Sequence, residues 1–158
     1  MLVGVLSDTH GHIDPRISEI FRPVRRILHA GDFEEPAILS ELEKIAPVTA
    51  VRGNGDYLFR ELYPTDLVIE INGFRILLCH RYNAFTMLEA HILAEIERVK
   101  PQVLVYGHTH DSVLHQSGEI LYLNPGYAGK KDYPGRHRSV ALLDLGGPVP
   151  RGEIISLD

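Results

Sequence analysis

One set of seven side chains in this sequence has the types and spacing that chemistry at a metal centre requires. Asp8 and His10 lie two residues apart, as do His108 and His110, and Asp32, Asn54 and His80 stand between the two pairs. The set offers carboxylate, amide and imidazole donors and no thiolate. It suits borderline divalent ions such as Mn, Fe, Co, Ni or Zn. Seven donors are more than one tetrahedral ion uses, whereas two ions sharing a bridging carboxylate use them economically. With two carboxylate ligands, neutral imidazoles and one bridging hydroxide, such a centre keeps about one positive charge. It attracts an anion such as a phosphate and can hold a hydroxide in line with it. In Asp8-Thr9-His10 and His108-Thr109-His110, an extended backbone would put both ligands on one side.

These residues fall at the ends of apolar runs. Runs at 2–6, 26–30, 48–52 and 103–106 end at Ser7-Asp8, Gly31-Asp32, Gly53-Asn54 and Gly107-His108. Each reads as a strand buried on both faces, and His80 follows another at 74–79. In open α/β sheets the carboxyl ends of strands form the ligand crevice. Helices are expected between the strands. One opens at Asp14-Pro15 and runs to about Phe21. A second opens at Glu35-Pro36 with Ile38, Leu39, Leu42 and Ile45 at helical spacing. A third spans 87–99, with Leu88, Ile92, Ile96 and Val99 on one face and Lys100-Pro101 as its stop. Asn72-Gly73 predicts a tight hairpin between 67–71 and 74–79. A second hairpin is expected at 113–116 and 120–123, turning through Ser117-Gly118-Glu119, and a third pair of strands at 139–145 and 153–157. The order is α/β first and antiparallel later, which predicts a mixed sheet or two packed sheets.

The chain has 158 residues, one domain's worth, and is too short for a complete eight-stranded α/β barrel, which needs at least about 200. Its 44% hydrophobic and 23% charged residues are ordinary globular composition. One cysteine, Cys79, excludes an internal disulfide and all-cysteine zinc sites. It reads as core. A net charge of −5 argues against broad nucleic-acid or membrane-surface binding. No secretory signal and no apolar run approaching ~20 residues is visible, so a cytoplasmic protein is expected. Nine histidines in so short a chain are the compositional oddity.

Together, Asp8-Thr9-His10, Gly31-Asp32, Gly53-Asn54-Gly55-Asp56, His80 and Gly107-His108-Thr109-His110 resemble the motifs of the calcineurin-like metallophosphoesterases. The chain is similar to their small microbial phosphodiesterase branch, and Asn124-Pro125-Gly126 is similar to a late motif of that branch. The resemblance implies a four-layer α-β-β-α sandwich of two packed mixed sheets, forming a single domain over residues 1–158. It implies that Asp8, His10 and His110 bind one divalent ion, that Asn54, His80 and His108 bind a second, and that Asp32 bridges them. Manganese heads the candidate metals, ahead of Ni, Fe, Co or Zn. The nucleophile it implies is a metal-bridging hydroxide acting on small phosphodiesters, with Asp8, Asp32, Asn54 and His80 in the catalytic centre. No stable nucleic-acid or membrane complex is expected. Members of the family often form dimers or tetramers, so a homo-oligomer is allowed.

The chain departs from the family in three places. Many relatives have a histidine at the position of Gly55 that protonates the leaving group. Its absence leaves Asp56 without its usual neighbour and favours diesters with good leaving groups. Arg81 and Tyr82 follow His80 where relatives often have Gly and His, and Tyr127 stands where a small residue is common. Arg52, Arg81, His12 and His137 are candidate substrate contacts, against ion pairs for the arginines and exposed loop positions for the histidines. Arg136-His137-Arg138 reads as a solvated loop or a phosphate contact. His29 is either a partner that orients a ligand or plain strand packing, and His91 and His115 read as surface residues. The rival function is a protein-interaction scaffold like the retromer subunit that shares this fold, which the complete ligand set disfavours. His108-Thr109-His110-Asp111 fails the H-x-H-x-D-H spacing of metallo-β-lactamase relatives, and no P-loop or G-x-S-x-G turn is present.

Overall fold

The apolar runs form strands that end where the polar motifs begin. The computed structural model describes residues 1–82, 90–131 and 137–158. β1 (Leu2–Leu6), β2 (Arg26–His29) and β3 (Val48–Ala50) pair in parallel. β9 (Ser139–Asp144) runs antiparallel to β1, and β10 (Arg151–Ser156) closes the edge, giving the order β10-β9-β1-β2-β3. The second sheet contains β4 (Asp66–Ile71), β5 (Phe74–Cys79), β6 (Val103–Val105), β7 (Val113–Ser117) and β8 (Ile120–Asn124), in the order β4-β5-β6-β8-β7. Its three central strands are parallel and its two edge strands antiparallel.

Helices α1 (Arg16–Ile20) and α2 (Pro36–Glu43) follow β1 and β2, and α3 (Ala90–Val99) precedes β6. The expected start of α3, with Met87 and Leu88, lies outside the described residues. The Asp14 carboxylate accepts the Arg16 backbone N–H at 3.0 Å, and Pro15 already has helical φ, so the Asp-Pro signal opens α1. Lys100 takes a left-handed φ of 50° ahead of Pro101 and ends α3. Asn72 and Gly73, at φ 51° and 83°, form the two-residue turn of the β4–β5 hairpin. The β7–β8 turn is one residue tighter than the sequence suggests: Ser117 pairs with Ile120, so Gly118-Glu119 alone make it.

Strand alternation explains the layers. Val3, Val5 and Leu28 from one sheet meet Ile76, Leu78, Val103 and Leu123 from the other in the central core. The opposite faces carry Ile27 against α1 and α2, and Leu77, Cys79 and Leu104 against α3. The result is the expected α-β-β-α sandwich. No helix among the described residues is long and apolar enough to cross a membrane.

Gly4 is the point in β1 where the Phe21 ring lies flat on the sheet; a Cβ there would come 2.9 Å from the ring. Gly4→Ala should therefore cost about 1–3 kcal/mol in urea denaturation. An unchanged midpoint would mean that the ring moves aside freely.

Candidate metal centre

The five motif loops meet at one end of the two sheets. β1 leads into Asp8, β2 into Asp32, β3 into Asn54, β5 into His80 and β6 into His108. The loops after β1 and β2 are tied by three backbone bonds of 3.0 Å: Asp8 N–H to Gly31 O, His10 N–H to Asp32 O and Gly11 N–H to Phe33 O. The ligand pairs are not extended. Asp8, His10, His108 and His110 all have positive φ, between 44° and 70°, and Asp32 and Glu34 share that conformation. Left-handed residues, rather than strand alternation, turn both members of each pair the same way. Close approach also requires glycine: a Cβ on Gly107 would collide with Ser7 and Asp8, and one on Gly53 with Asp32.

Two groups of side chains place donor atoms within 4.8 Å of one another: Asp8, His10 and His110, and Asp8, Asp32 and His80. The first matches the triad implied for one ion. The second joins Asp32, the bridge the resemblance implies, to His80, and Asp8 belongs to both. Asp8 Oδ1 lies 3.2 Å from His110 Nε2, and Asp32 Oδ2 lies 3.4 Å from His80 Nε2. His108 stacks edge-on to His80, with ring centroids 5.2 Å apart, outside both groups. Asn54 is exposed, and its Oδ1 accepts from Arg81 at 3.2 and 3.3 Å.

The histidines are set in the tautomer a metal needs. His10 Nδ1 lies 2.7 Å from the Glu34 carboxylate, and His80 Nδ1 lies 2.7 Å from the Ala30 carbonyl. Both partners are acceptors, so Nδ1 carries the proton and Nε2 keeps its lone pair. His10 Nε2 and His80 Nε2 are buried and make no hydrogen bond. Buried polar atoms left in this state are costly unless something binds them, so the residues present fit a divalent cation. Burial acts to lower the His80 imidazole, but the Asp32 and Asp8 carboxylates hold it up, so without a metal Nε2 can carry a proton that a cation would displace. Burial acts to raise the Asp32 carboxyl, but His80 and the Gly55 N–H outweigh it and hold the group down at about 2. Asp8 is likewise held low against its burial, by His110 and His80. Both carboxylates are charged at neutral pH.

Residues outside the candidate ligand set support these loops. Asp56 is fully buried and accepts three backbone N–H groups, from Asp32 at 2.7 Å, Glu34 at 2.6 Å and Gly53 at 2.8 Å. Its place in Gly-Asn-Gly-Asp was the only signal. Glu34 stands alone in a loop and carried none. Asn124 donates to Gly107 O and Thr109 Oγ1 and so props the His108–His110 loop. His29 resolves as a positioning residue: its Nδ1 accepts the Gly31 N–H at 3.2 Å, so Nε2–H donates to Thr9 Oγ1 at 3.0 Å. It joins the Asp8 loop to the Asp32 loop. Tyr127 is buried, its ring centroid 4.9 Å from His110 and 6.0 Å from His10.

The remaining candidates divide. Arg52 and Arg81 border the centre. His12 is half-buried in the loop after β1. His137 is exposed and faces Asp158 at 3.7 Å. Arg138 is buried between Asp14 at 2.9 Å and Asp158 at 3.2 Å, a structural pairing, and Arg136 lies outside the described residues. His91 faces Asp66 at 3.3 Å.

Removing the Asp56 carboxylate should loosen three loops at once. Asp56→Ala is expected to cost at least about 3 kcal/mol, since buried hydrogen bonds to a charge contribute about 1.5–3 kcal/mol each. It should also weaken Mn binding measured by calorimetry. Unchanged stability and affinity would show that the loops hold themselves. His29 gives a pH test. Burial holds its imidazole down at about 3, against about 6.5 when unfolded. Between those values the unfolded chain takes up a proton that the folded chain does not, so His29 lowers stability as pH falls from about 6.5 towards 3. His29→Gln should flatten that slope in urea titrations of the metal-free protein; an identical slope would refute the assignment.

Comparisons with known proteins show the family. The profile of the calcineurin-like phosphoesterase superfamily domain matches residues 1–147. A probable metallophosphoesterase of Methanothermobacter thermautotrophicus is 38% identical over 140 residues, covering 80% of this chain and 76% of the relative. A phosphodiesterase of Methanocaldococcus jannaschii is 28% identical over 144 residues, covering 80% and 83%. The solved structure of an archaeal phosphodiesterase superimposes with a TM-score of 0.74 at 24% identity, over 98% of this chain and all of that one. Vps29 of Entamoeba histolytica, as a double mutant, reaches 0.77 at 21% identity over the full length of both chains. The chain belongs to the calcineurin-like phosphoesterase superfamily and is a hydrolase of phosphoesters.

Proposed function

We propose that the chain is a single-domain phosphodiesterase that cleaves small phosphodiesters at a two-metal centre. Asp8, His10 and His110 would hold one divalent ion, and Asn54, His80 and His108 the second. Asp32 would bridge them. The observation that carries this reading is the pair of donor groups that share Asp8, one with His10 and His110 and the other with Asp32 and His80, with two buried imidazole nitrogens making no hydrogen bond. When bound, the ions would supply Lewis acidity and an activated water. Manganese is the first candidate, with Ni, Fe, Co and Zn as alternatives. A solved Vps29 of Entamoeba histolytica was complexed with Zn2+.

The chain's own residues do the rest. Glu34 and the Ala30 carbonyl fix His10 and His80, so the donor atoms need no rearrangement before binding. The Gly55 N–H donates to Asp32 Oδ1 at 2.6 Å and steadies the bridging carboxylate. Gly55 has no side chain to protonate a departing alkoxide. Leaving groups that depart as stable anions are therefore cleaved best. The retromer-like scaffold keeps one supporting observation, the fold shared with Vps29. A cytoplasmic enzyme acting without a stable nucleic-acid partner fits the net charge of −5.

Protein reconstituted with Mn should hydrolyse bis-p-nitrophenyl phosphate and lose at least about a hundredfold in kcat as Asp32→Ala, a loss on the scale of removing one charge-stabilising group. Prior treatment with chelator should abolish turnover and Mn should restore it. Fully loaded protein that cleaves no phosphate ester, yet co-purifies with a protein partner, would favour the scaffold.

A further inference from the structure

Beside the candidate centre lies a cavity of about 220 Å³. Asn54 and His80, both assigned to the second ion, form one wall. Arg52 and Arg81 stand on the rim, and Cys79 and Ile92 make an apolar floor. The cavity therefore opens off the place where a bound phosphate would sit.

The two arginines differ from five others in the chain. Arg16, Arg22, Arg60, Arg98 and Arg138 each face a carboxylate. Arg52 has no ion-pair partner among the described residues, and its Nε is buried without a hydrogen bond. Arg81 meets only the neutral Asn54 amide among them. Asp66, near His91 of the lining, accepts from Thr65 at 2.9 Å and faces His91 at 3.3 Å. A chain with an acidic excess thus leaves two guanidinium groups unneutralised on one cavity. Partly buried cations without a counter-charge are unfavourable, and a guanidinium is shaped to take an oxyanion in two parallel bonds. The expected ion-pair alternative for these arginines is not what the structure contains among its described residues.

We infer that this cavity is a subsite for a second oxyanion. The substrate class is a phosphodiester in which one ester arm ends in a carboxylate or a phosphate, held by Arg52 and Arg81 while the diester phosphorus lies at the centre. This rests on the phosphodiesterase reading. It adds that the favoured substrate carries at least two negative charges, and that the apolar floor admits a short carbon arm between them.

The test uses full-length, Mn-loaded protein and three p-nitrophenyl phosphodiesters. Their second arms are propyl, 2-carboxyethyl and 2-phosphoethyl. The anionic arms should raise kcat/KM at least about tenfold over propyl, the ratio that one charge-assisted hydrogen bond supplies. The preference should vanish in Arg52→Gln and shrink in Arg81→Gln. A carboxylate preference alone, or a phosphate preference alone, identifies the arm. Cleavage of all three at equal rates overturns the subsite and leaves the phosphodiesterase reading intact. If none is cleaved, that reading fails, and binding of the corresponding monoesters decides the subsite by calorimetry. Tighter 2-carboxyethyl phosphate than propyl phosphate, lost in Arg52→Gln, supports it; equal affinities overturn it.

Discussion

The buried carboxylate of Asp56 is the interaction on which the candidate centre most depends. It accepts N–H groups from Asp32, Glu34 and Gly53, and thereby ties the loop after β2 to the loop after β3. Two of those N–H groups belong to residues whose side chains reach the centre or its edge. Asp32 presents its carboxylate to His80, and Glu34 presents its own to His10. The same backbone that Asp56 fixes therefore aims one donor for each half of the site. A negative charge is well suited to this task. It satisfies N–H groups in loops too short and too curved to pair with a neighbouring strand.

Those loops carry appreciable strain. Five candidate ligands and Glu34 occupy left-handed backbone, which costs a non-glycine residue about 1–2 kcal/mol. The sheets pay for it. The strained residues all lie within five residues of the end of β1, β2 or β6, strands locked in a two-sided core, and the β1 and β2 loops exchange three further backbone bonds. The conformation brings Asp8, His10 and His110 into one group and leaves His108 beside His80. It also explains the glycines. Gly107 lets the last loop settle on Ser7 and Asp8, which brings His108 N–H to Asp8 Oδ2 at 3.1 Å.

The strands were legible because each is an apolar run buried on both faces, ending at a polar motif. Asp8, His10, Asp32, His80 and His110 were legible because metal chemistry restricts the residue types at such ends. What the sequence concealed depends on contacts distant along the chain. Asp56 reads as a turn residue until the three N–H groups aimed at it are known. Glu34 has no motif, and only the fold brings it to His10, twenty-four residues away. The extended D-x-H geometry was a reasonable default for a strand end, but left-handed φ leaves no trace in residue type when the residue is Asp or His. Arg52 and Arg81 looked like candidates for ion pairs, because the absence of a neighbouring acid is a property of the fold and not of the sequence.

Gly55 and Glu34 are best understood as a coupled pair. A Cβ on residue 55 would lie 2.9 Å from Glu34 Oε1 and 3.1 Å from Asp32 Oδ1. A histidine at that position, as in many members of the family, could not coexist with Glu34 as it stands. In this chain a carboxylate that orients His10 stands where a side chain on residue 55 would reach. The two choices pull chemistry in different directions. An imidazole at residue 55 broadens the range of leaving groups, whereas Glu34 strengthens His10 as a ligand and adds negative charge at the rim. That added charge acts against a polyanion approaching from the Glu34 side. The unpaired arginines border Asn54 and His80, so the electrostatic field favours an anion entering over the opposite half of the centre. Under the proposed reading, the absence of a side chain at residue 55 and the placement of the positive charge bear on the same choice: a small, multiply charged ester with a leaving group that needs no help.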